Sequence, residues 1–117
     1  MAYLKQTFNG VDLCIFQFED DATLGRHSDC TFVIDDPTIS AHHANIEKTP
    51  EGYRLVDQGS TNGIQVKGSK LKQVALENGL KFTLGTCQFE YMDELPSDLA
   101  KTLKIKKSWI PGVYYTK

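Results

Sequence analysis

Four consecutive residues, Ser60-Thr61-Asn62-Gly63, crowd small hydrogen-bonding groups into one turn. Two hydroxyls, one carboxamide and the N–H groups of a glycine-containing turn make the kind of concavity that holds an oxyanion. Asn-Gly is also the strongest short turn signal in the chain. The same residue types are favoured by turn chemistry alone, so a plain hairpin turn stands beside the anion-binding reading.

A second group of reactive side chains points elsewhere. His42-His43, with a distant cysteine, would suit metal or thiol catalysis. Adjacent residues of a strand face opposite ways, so these two histidines are not expected to share a metal, and His42 reads as a surface residue. Cys14, Cys30 and Cys87 are odd in number, widely spaced and free of any Cys-x-x-Cys pattern. That argues against a disulfide framework and for a reducing compartment, hence the cytoplasm. The cysteines are expected to be small core hydrophobes. The turn donors need no general base, metal or nucleophile, so no enzyme, no cofactor and no metal site is expected.

The elements that would position these groups read as β-structure throughout. The 117 residues suffice for one domain with a core, and 40% hydrophobic with 24% charged residues is ordinary for a globular chain. A net charge of −2 offers no bulk field to attract nucleic acid. The first residues lead into a polar segment without a long apolar run, so neither a signal peptide nor a membrane span is expected. Strand-like runs are expected at 2–8, 11–18, 22–25, 31–34, 44–47, 53–57, 64–66, 80–84 and 87–92, with fragments around Leu71, Val74 and Leu76. Asn9-Gly10, Asp35-Asp36-Pro37, 49–52, Lys67-Gly68, Asn78-Gly79 and Gly85-Thr86 punctuate them. Turns every eight to twelve residues between short strands predict an all-β sandwich or a barrel.

The pattern changes at Asp93. Leu95, Leu99 and Leu103 recur at i, i+4 and i+8, which predicts one short helix with an apolar stripe. Lys104, Lys106 and Lys107 fall near its end, where cations suit the helix dipole. The division expected is therefore a sandwich over 1–92 and a helical, then aromatic, extension over 93–117. The extension either packs on its own sandwich or serves for docking or oligomerisation.

Three short motifs occur in a telling order: Gly25-Arg26 closing a strand, Ser40-Ala41-His42-His43 as Ser-x-x-His, and Ser60-Thr61-Asn62-Gly63. Together with Asp36-Pro37, the Cys30 strand and residues 53–57, they resemble the forkhead-associated (FHA) domain, a family of phosphothreonine-peptide-binding modules. The resemblance covers residues 1–92 and is densest over 23–68. It implies an all-β sandwich of two antiparallel sheets with its binding loops at one end. It further implies that Arg26 and Ser40 bind phosphate, that Thr61 holds the phosphate or the threonine methyl, and that Asn62 grips the peptide backbone. Gly25, His43 and Gly63 are implied to be architectural, with His43 bracing the loops. Thr38 falls in the loop that selects residues beyond the phosphothreonine, and Ser60 is a further possible contact.

The chemistry suits the resemblance. A phosphothreonine carries nearly two negative charges and three acceptor oxygens. Arg26 offers a charge-assisted fork, and Ser40 with the turn amides offers neutral donors. Two positions depart from the family pattern. Ala41 follows Ser40 where a basic or polar residue is frequent, which removes a donor. Lys67 replaces a frequent asparagine, and either restores charge or is simply solvated. The function expected is a non-catalytic signalling adaptor that recognises a phosphothreonine-containing protein, with no nucleic acid or membrane partner. The alternative is an FHA-fold scaffold that binds a partner without phosphate.

Overall fold

A computed structural model describes residues 2–95, together with the backbone of 104–107. The strands are β1 (Ala2–Phe8), β2 (Val11–Phe18), β3 (Ala22–Gly25), β4 (Phe32–Val33), β5 (Ala44–Thr49), β6 (Gly52–Asp57), β7 (Ile64–Val66), β8 (Ser69–Leu71), β9 (Gln73–Leu76), β10 (Lys81–Leu84), β11 (Cys87–Met92) and β12 (Lys104–Lys107). They form two sheets. One runs β12-β2-β1-β11-β10-β7-β8 and the other β4-β3-β5-β6-β9. The all-β sandwich expected from turn spacing is the architecture found.

Alternation along the strands decides which side chains meet between the sheets. Leu4 lies across from Phe16 on β2 and Tyr91 on β11, and all three are buried. On the facing sheet Ile46 lies across from Ala22 and Leu55, again all buried. The two rows are joined by aromatic contacts. Phe16 and Phe32 approach with ring centroids 4.7 Å apart, and Phe18 meets Tyr53 edge-on at 5.0 Å. Offset and edge-to-face pairs of this kind add about 0.5–1.5 kcal/mol each beyond their buried area. Two tight hairpins follow from residue type. Asn9-Gly10 and Lys67-Gly68 hold positive φ at both central positions, the mark of a type I′ turn.

The sheets gather five chain segments at one end of the sandwich. The last residues of β3 lie beside the first of β5, and Ala44 at the start of β5 lies beside Asp57 at the end of β6. In the other sheet Ile64 at the start of β7 pairs with Leu84, just before the Gly85-Thr86 turn. The loops 26–31, 34–43, 58–63 and 85–86 therefore share a rim.

Two expectations change. Asn62-Gly63 is not a hairpin turn, because β6 and β7 belong to different sheets. The loop carries the chain from one sheet to the other, which is why it lies over the core edge. The expected helix is centred on residues outside those described. Lys104, Lys106 and Lys107, placed at its end by the leucine spacing, lie instead in β12, which pairs in parallel with β2. The physical reason is the open edge of β2, whose other side is taken by β1. An unpaired ladder at a sheet edge captures an extended segment.

Candidate functional site

The rim is built on a close backbone approach. A Cβ on residue 25 would collide with the carbonyl oxygen of Ala41 and lie 2.8 Å from Cys30 Sγ. Glycine alone lets the loop after β3 rest on the loop before β5. Once in contact, the loops exchange hydrogen bonds. The Arg26 N–H donates to Ser40 O at 3.0 Å, the His27 N–H to Ala41 O at 3.1 Å, and the Cys30 thiol to Ala41 O at 3.3 Å. Arg26 is thus held beside Ser40 by its main chain, while its side chain is exposed. Among the described residues its guanidinium has no ion pair or hydrogen-bond acceptor.

His43 ties this pair to the inter-sheet loop. It is fully buried. Its Nδ1 accepts the Ser40 N–H at 3.1 Å, so its Nε2 carries the proton and donates to Gly63 O at 2.9 Å. Its own N–H donates to Leu24 O, and its carbonyl accepts the Gln58 N–H, both at 2.9 Å. One imidazole therefore sets the spacing between the Ser40 and Asn62 loops.

The inter-sheet loop is ordered from inside by Asp57. Its carboxylate accepts the Gly59 and Ser60 N–H groups at 3.2 and 3.3 Å, and also the Ser60 hydroxyl. Ser60 Oγ in turn accepts the Gly63 N–H at 2.8 Å. The Ser60 hydroxyl is thereby committed to the loop itself. Ser40 is different. Its Oγ accepts the Thr61 N–H at 3.1 Å, which leaves its proton without an acceptor among the described residues. Thr61 is exposed, and its hydroxyl likewise has no partner there.

Asn62 and Thr38 form a second layer. Asn62 Nδ2 donates to Thr38 O at 2.8 Å, leaving Oδ1 and the second amide proton for an incoming group. Thr38 is fixed by Asp36, which accepts its N–H at 2.8 Å and its hydroxyl at 2.5 Å. Those contacts, the hydroxyl first, hold the Asp36 carboxyl below the usual carboxylate range. Thr38 Oγ1 also accepts the Thr86 N–H at 2.9 Å, and its carbonyl lies where a Cβ on Gly85 would stand, 2.6 Å away. The Thr38 hydroxyl is consumed in pinning its loop to the Gly85-Thr86 turn.

The rim therefore unites Arg26, Ser40, Thr61, Asn62 and Thr38, with Gly25, His43 and Gly63 beneath them. Ala41 is exposed at the same rim and contributes its carbonyl to the frame. Ser60 turns inward. Lys67 is elsewhere: at the far tip of the β7–β8 hairpin it lines a separate groove with Glu77, Asn78 and Lys81. The cation that reaches the rim is Lys70. It pairs with Gln65, so its stem lies over Gly63, and its Nζ is 3.5 Å from Thr61 O. A Cβ on Gly63 would meet Lys70 Cε at 2.5 Å, and Gly63 already needs a φ of 69°. The signal for Lys70 is the Lys67-Gly68 turn: a two-residue I′ connection fixes the register that returns residue 70 toward residue 63.

A family model described as "FHA domain" matches residues 22–85, more than half of the chain and all four rim loops up to Gly85. An "Oxoglutarate dehydrogenase inhibitor" of Corynebacterium jeikeium is 29% identical over 75 residues, 64% of this chain and 52% of that protein. The chain spans about half the length of the curated relatives it matches. The crystal structure of the FHA domain of CT664 from Chlamydia trachomatis superposes with a TM-score of 0.70 at 26% identity, covering 80% of this chain and 98% of that one. Mycobacterium tuberculosis EmbR, in complex with a low-affinity phosphopeptide, gives a TM-score of 0.69 at 27% identity over 81% of this chain and 25% of its own.

Proposed function

The chain belongs to the forkhead-associated domain family, and on that premise we propose that its loop rim binds a phosphothreonine-containing segment of a partner protein, without catalysis. One observation carries this reading: Arg26, whose guanidinium is free of any ion pair among the described residues, is joined through its backbone N–H to Ser40, whose hydroxyl oxygen accepts the Thr61 N–H and whose proton has no acceptor there. A group in that state donates outward. A phosphate dianion accepts from both and is completed by Thr61 and the Lys70 ammonium. Asn62, steadied by Thr38, offers an amide to the peptide backbone. Asp36 and Thr38 act on peptide selection by holding that loop in place and not by contact through the Thr38 hydroxyl. Cys14, Cys30 and Cys87 are buried and form no disulfide among the described residues, which suits a reducing compartment, and we place the protein in the cytoplasm. No helix among the described residues is long and apolar enough to cross a membrane.

Titration of a fluorescent phosphothreonine peptide, chosen from an oriented library, tests the reading against its unphosphorylated twin. Binding that ignores the phosphate would replace it with the phosphate-independent scaffold. A matched phosphoserine peptide is expected to bind more weakly by roughly 1–3 kcal/mol, the scale of one methyl group in a small slot. Equal affinities would remove the slot.

The two lysines separate cleanly. Lys70→Ala is expected to weaken phosphopeptide binding by about 0.5–1 kcal/mol, the upper part of the range for an exposed charge pair, and the loss shrinks as salt rises. Lys67→Ala is expected to leave binding unchanged. Calorimetric titration at two salt concentrations measures both, and the reverse ranking would move the second cation to Lys67.

A further inference from the structure

One cluster on these loops has no part in the phosphopeptide reading. His27 and Asp29 from the loop after β3, and His42 from the loop before β5, bring their ligand atoms within 4.8 Å of one another. We propose that His27, Asp29 and His42 form a binding site for one divalent transition-metal ion, with Zn2+ as the reference case.

The geometry is that of ligands around a shared point. Asp29 Oδ1 lies 2.8 Å from His42 Nε2 and 2.8 Å from His27 Nδ1. A tetrahedral ion with ligands at about 2.0–2.1 Å sets its donors about 3.3–3.4 Å apart. The two N···O edges therefore have to open by about half an ångström to admit Zn2+, while the His27 and His42 nitrogens, within 4.8 Å of each other, have to close by up to about 1.4 Å, given those bond lengths. All three side chains are more than half exposed, which leaves room for that adjustment. The two imidazoles stack with centroids 5.3 Å apart and planes 23° from parallel, so one carboxylate oxygen is reached by both.

His27 shows why a cation belongs there. Its Nδ1 lies 3.1 Å from the Asp29 N–H, a donor that asks for a lone pair. The same atom faces Asp29 Oδ1, an acceptor that asks for a proton. One nitrogen cannot satisfy both. A metal ion among the two nitrogens and the oxygen takes a lone pair from each, so that Nδ1 and Oδ1 no longer face each other as two acceptors, and the Asp29 N–H, on an exposed residue, turns to solvent.

The frame is already set. The rungs from Arg26 to Ser40 and from His27 to Ala41 join the two loops next to the ligands. His43 turns inward as the brace, while His42, in the turn before β5, is exposed and stacks on His27. Two imidazoles and one carboxylate favour Zn2+ and its first-row neighbours over the oxygen-seeking Mg2+ and Ca2+. Three protein ligands leave one position of a tetrahedral ion open to water or an anionic oxygen.

Calorimetric titration of zinc chloride into the full chain, and into His27→Ala and His42→Ala, tests the site. One ion per chain is expected in the native protein. Each variant is expected to bind it at least about tenfold more weakly, since even the outer partners of metal ligands are worth that much. Zinc is expected to raise the melting temperature of the native chain and not of the variants. In the native chain, the imidazole NMR signals of His27 and His42 should shift on zinc addition while those of His43 stay, a readout independent of any variant. The proposal is overturned if the native chain does not bind, if both variants bind as it does, if Mg2+ competes equally, or if His43 moves instead. Phosphopeptide binding does not enter any of these measurements, so their failure and failure of the phosphothreonine reading are distinct.

Discussion

Arg26→Ala is expected to weaken phosphothreonine-peptide binding by roughly 1.5–3 kcal/mol, the scale of a hydrogen bond to a charged group, or about 10- to 150-fold. The fold should not notice. The Arg26 side chain is exposed, and what ties residue 26 to the frame is its backbone N–H to Ser40 O, which alanine keeps. A melting curve that overlays the native one is therefore part of the expectation. Arg26→Lys is expected to fall between the two proteins, because lysine restores charge without the planar fork that engages two phosphate oxygens. Calorimetric titration of one phosphopeptide against the three proteins measures the series. A native-like affinity in Arg26→Ala would move the phosphate away from this rim, leaving Lys70 and the Ser60–Gly63 loop without their central cation.

Much of this arrangement was written locally. Short-range chemistry fixes turns, so the Asn9-Gly10 hairpin and the β3 limit at Gly25 could be read from residue type. What escaped depends on pairing at a distance. Asn62-Gly63 has the composition of a hairpin turn, yet composition does not say whether the strands on either side pair with each other. Here they pair into separate sheets, and that places the donors at the rim. Lys67 and Lys70 are equally basic in sequence, and only the β7–β8 register tells which one reaches Gly63. Residue type makes Thr38 a free peptide contact, but its hydroxyl is taken by Asp36 and Thr86, fifty residues apart in the chain, while Asn62 gives only one amide proton to Thr38 O. The leucine spacing after Asp93 put Lys104–Lys107 at a helix end, whereas the open edge of β2, ninety residues earlier in the chain, draws them into a strand. Local pattern had no access to that edge.

His43→Ala is expected to destabilise the fold by about 3–5 kcal/mol, and phosphopeptide binding should fall with it. The Ser40 N–H and the Gly63 carbonyl lose the imidazole that now joins them, and each buried polar group stranded in this way costs about 1–3 kcal/mol. The site of the ring is fully buried, so the vacated volume adds a packing loss on the scale of other large-to-small core changes unless water fills it. For a chain of this size each kcal/mol lowers the melting temperature by roughly 4 °C or more, so a drop of about 12–20 °C is expected from these figures. His43→Gln should recover part of the loss, since its carboxamide has a donor and an acceptor but not the fixed separation of Nδ1 and Nε2. The comparison with Arg26→Ala carries the interpretation. Arg26 acts on the ligand and not on the fold, whereas His43 acts on the fold and through it on the ligand, by setting the distance between Ser40 and Asn62. Thermal melts and peptide titrations on the same samples separate the two roles. A His43→Ala protein that melts like the native chain would show that Gly25, Asp57 and the Asp36–Thr38–Thr86 contacts hold the rim without it.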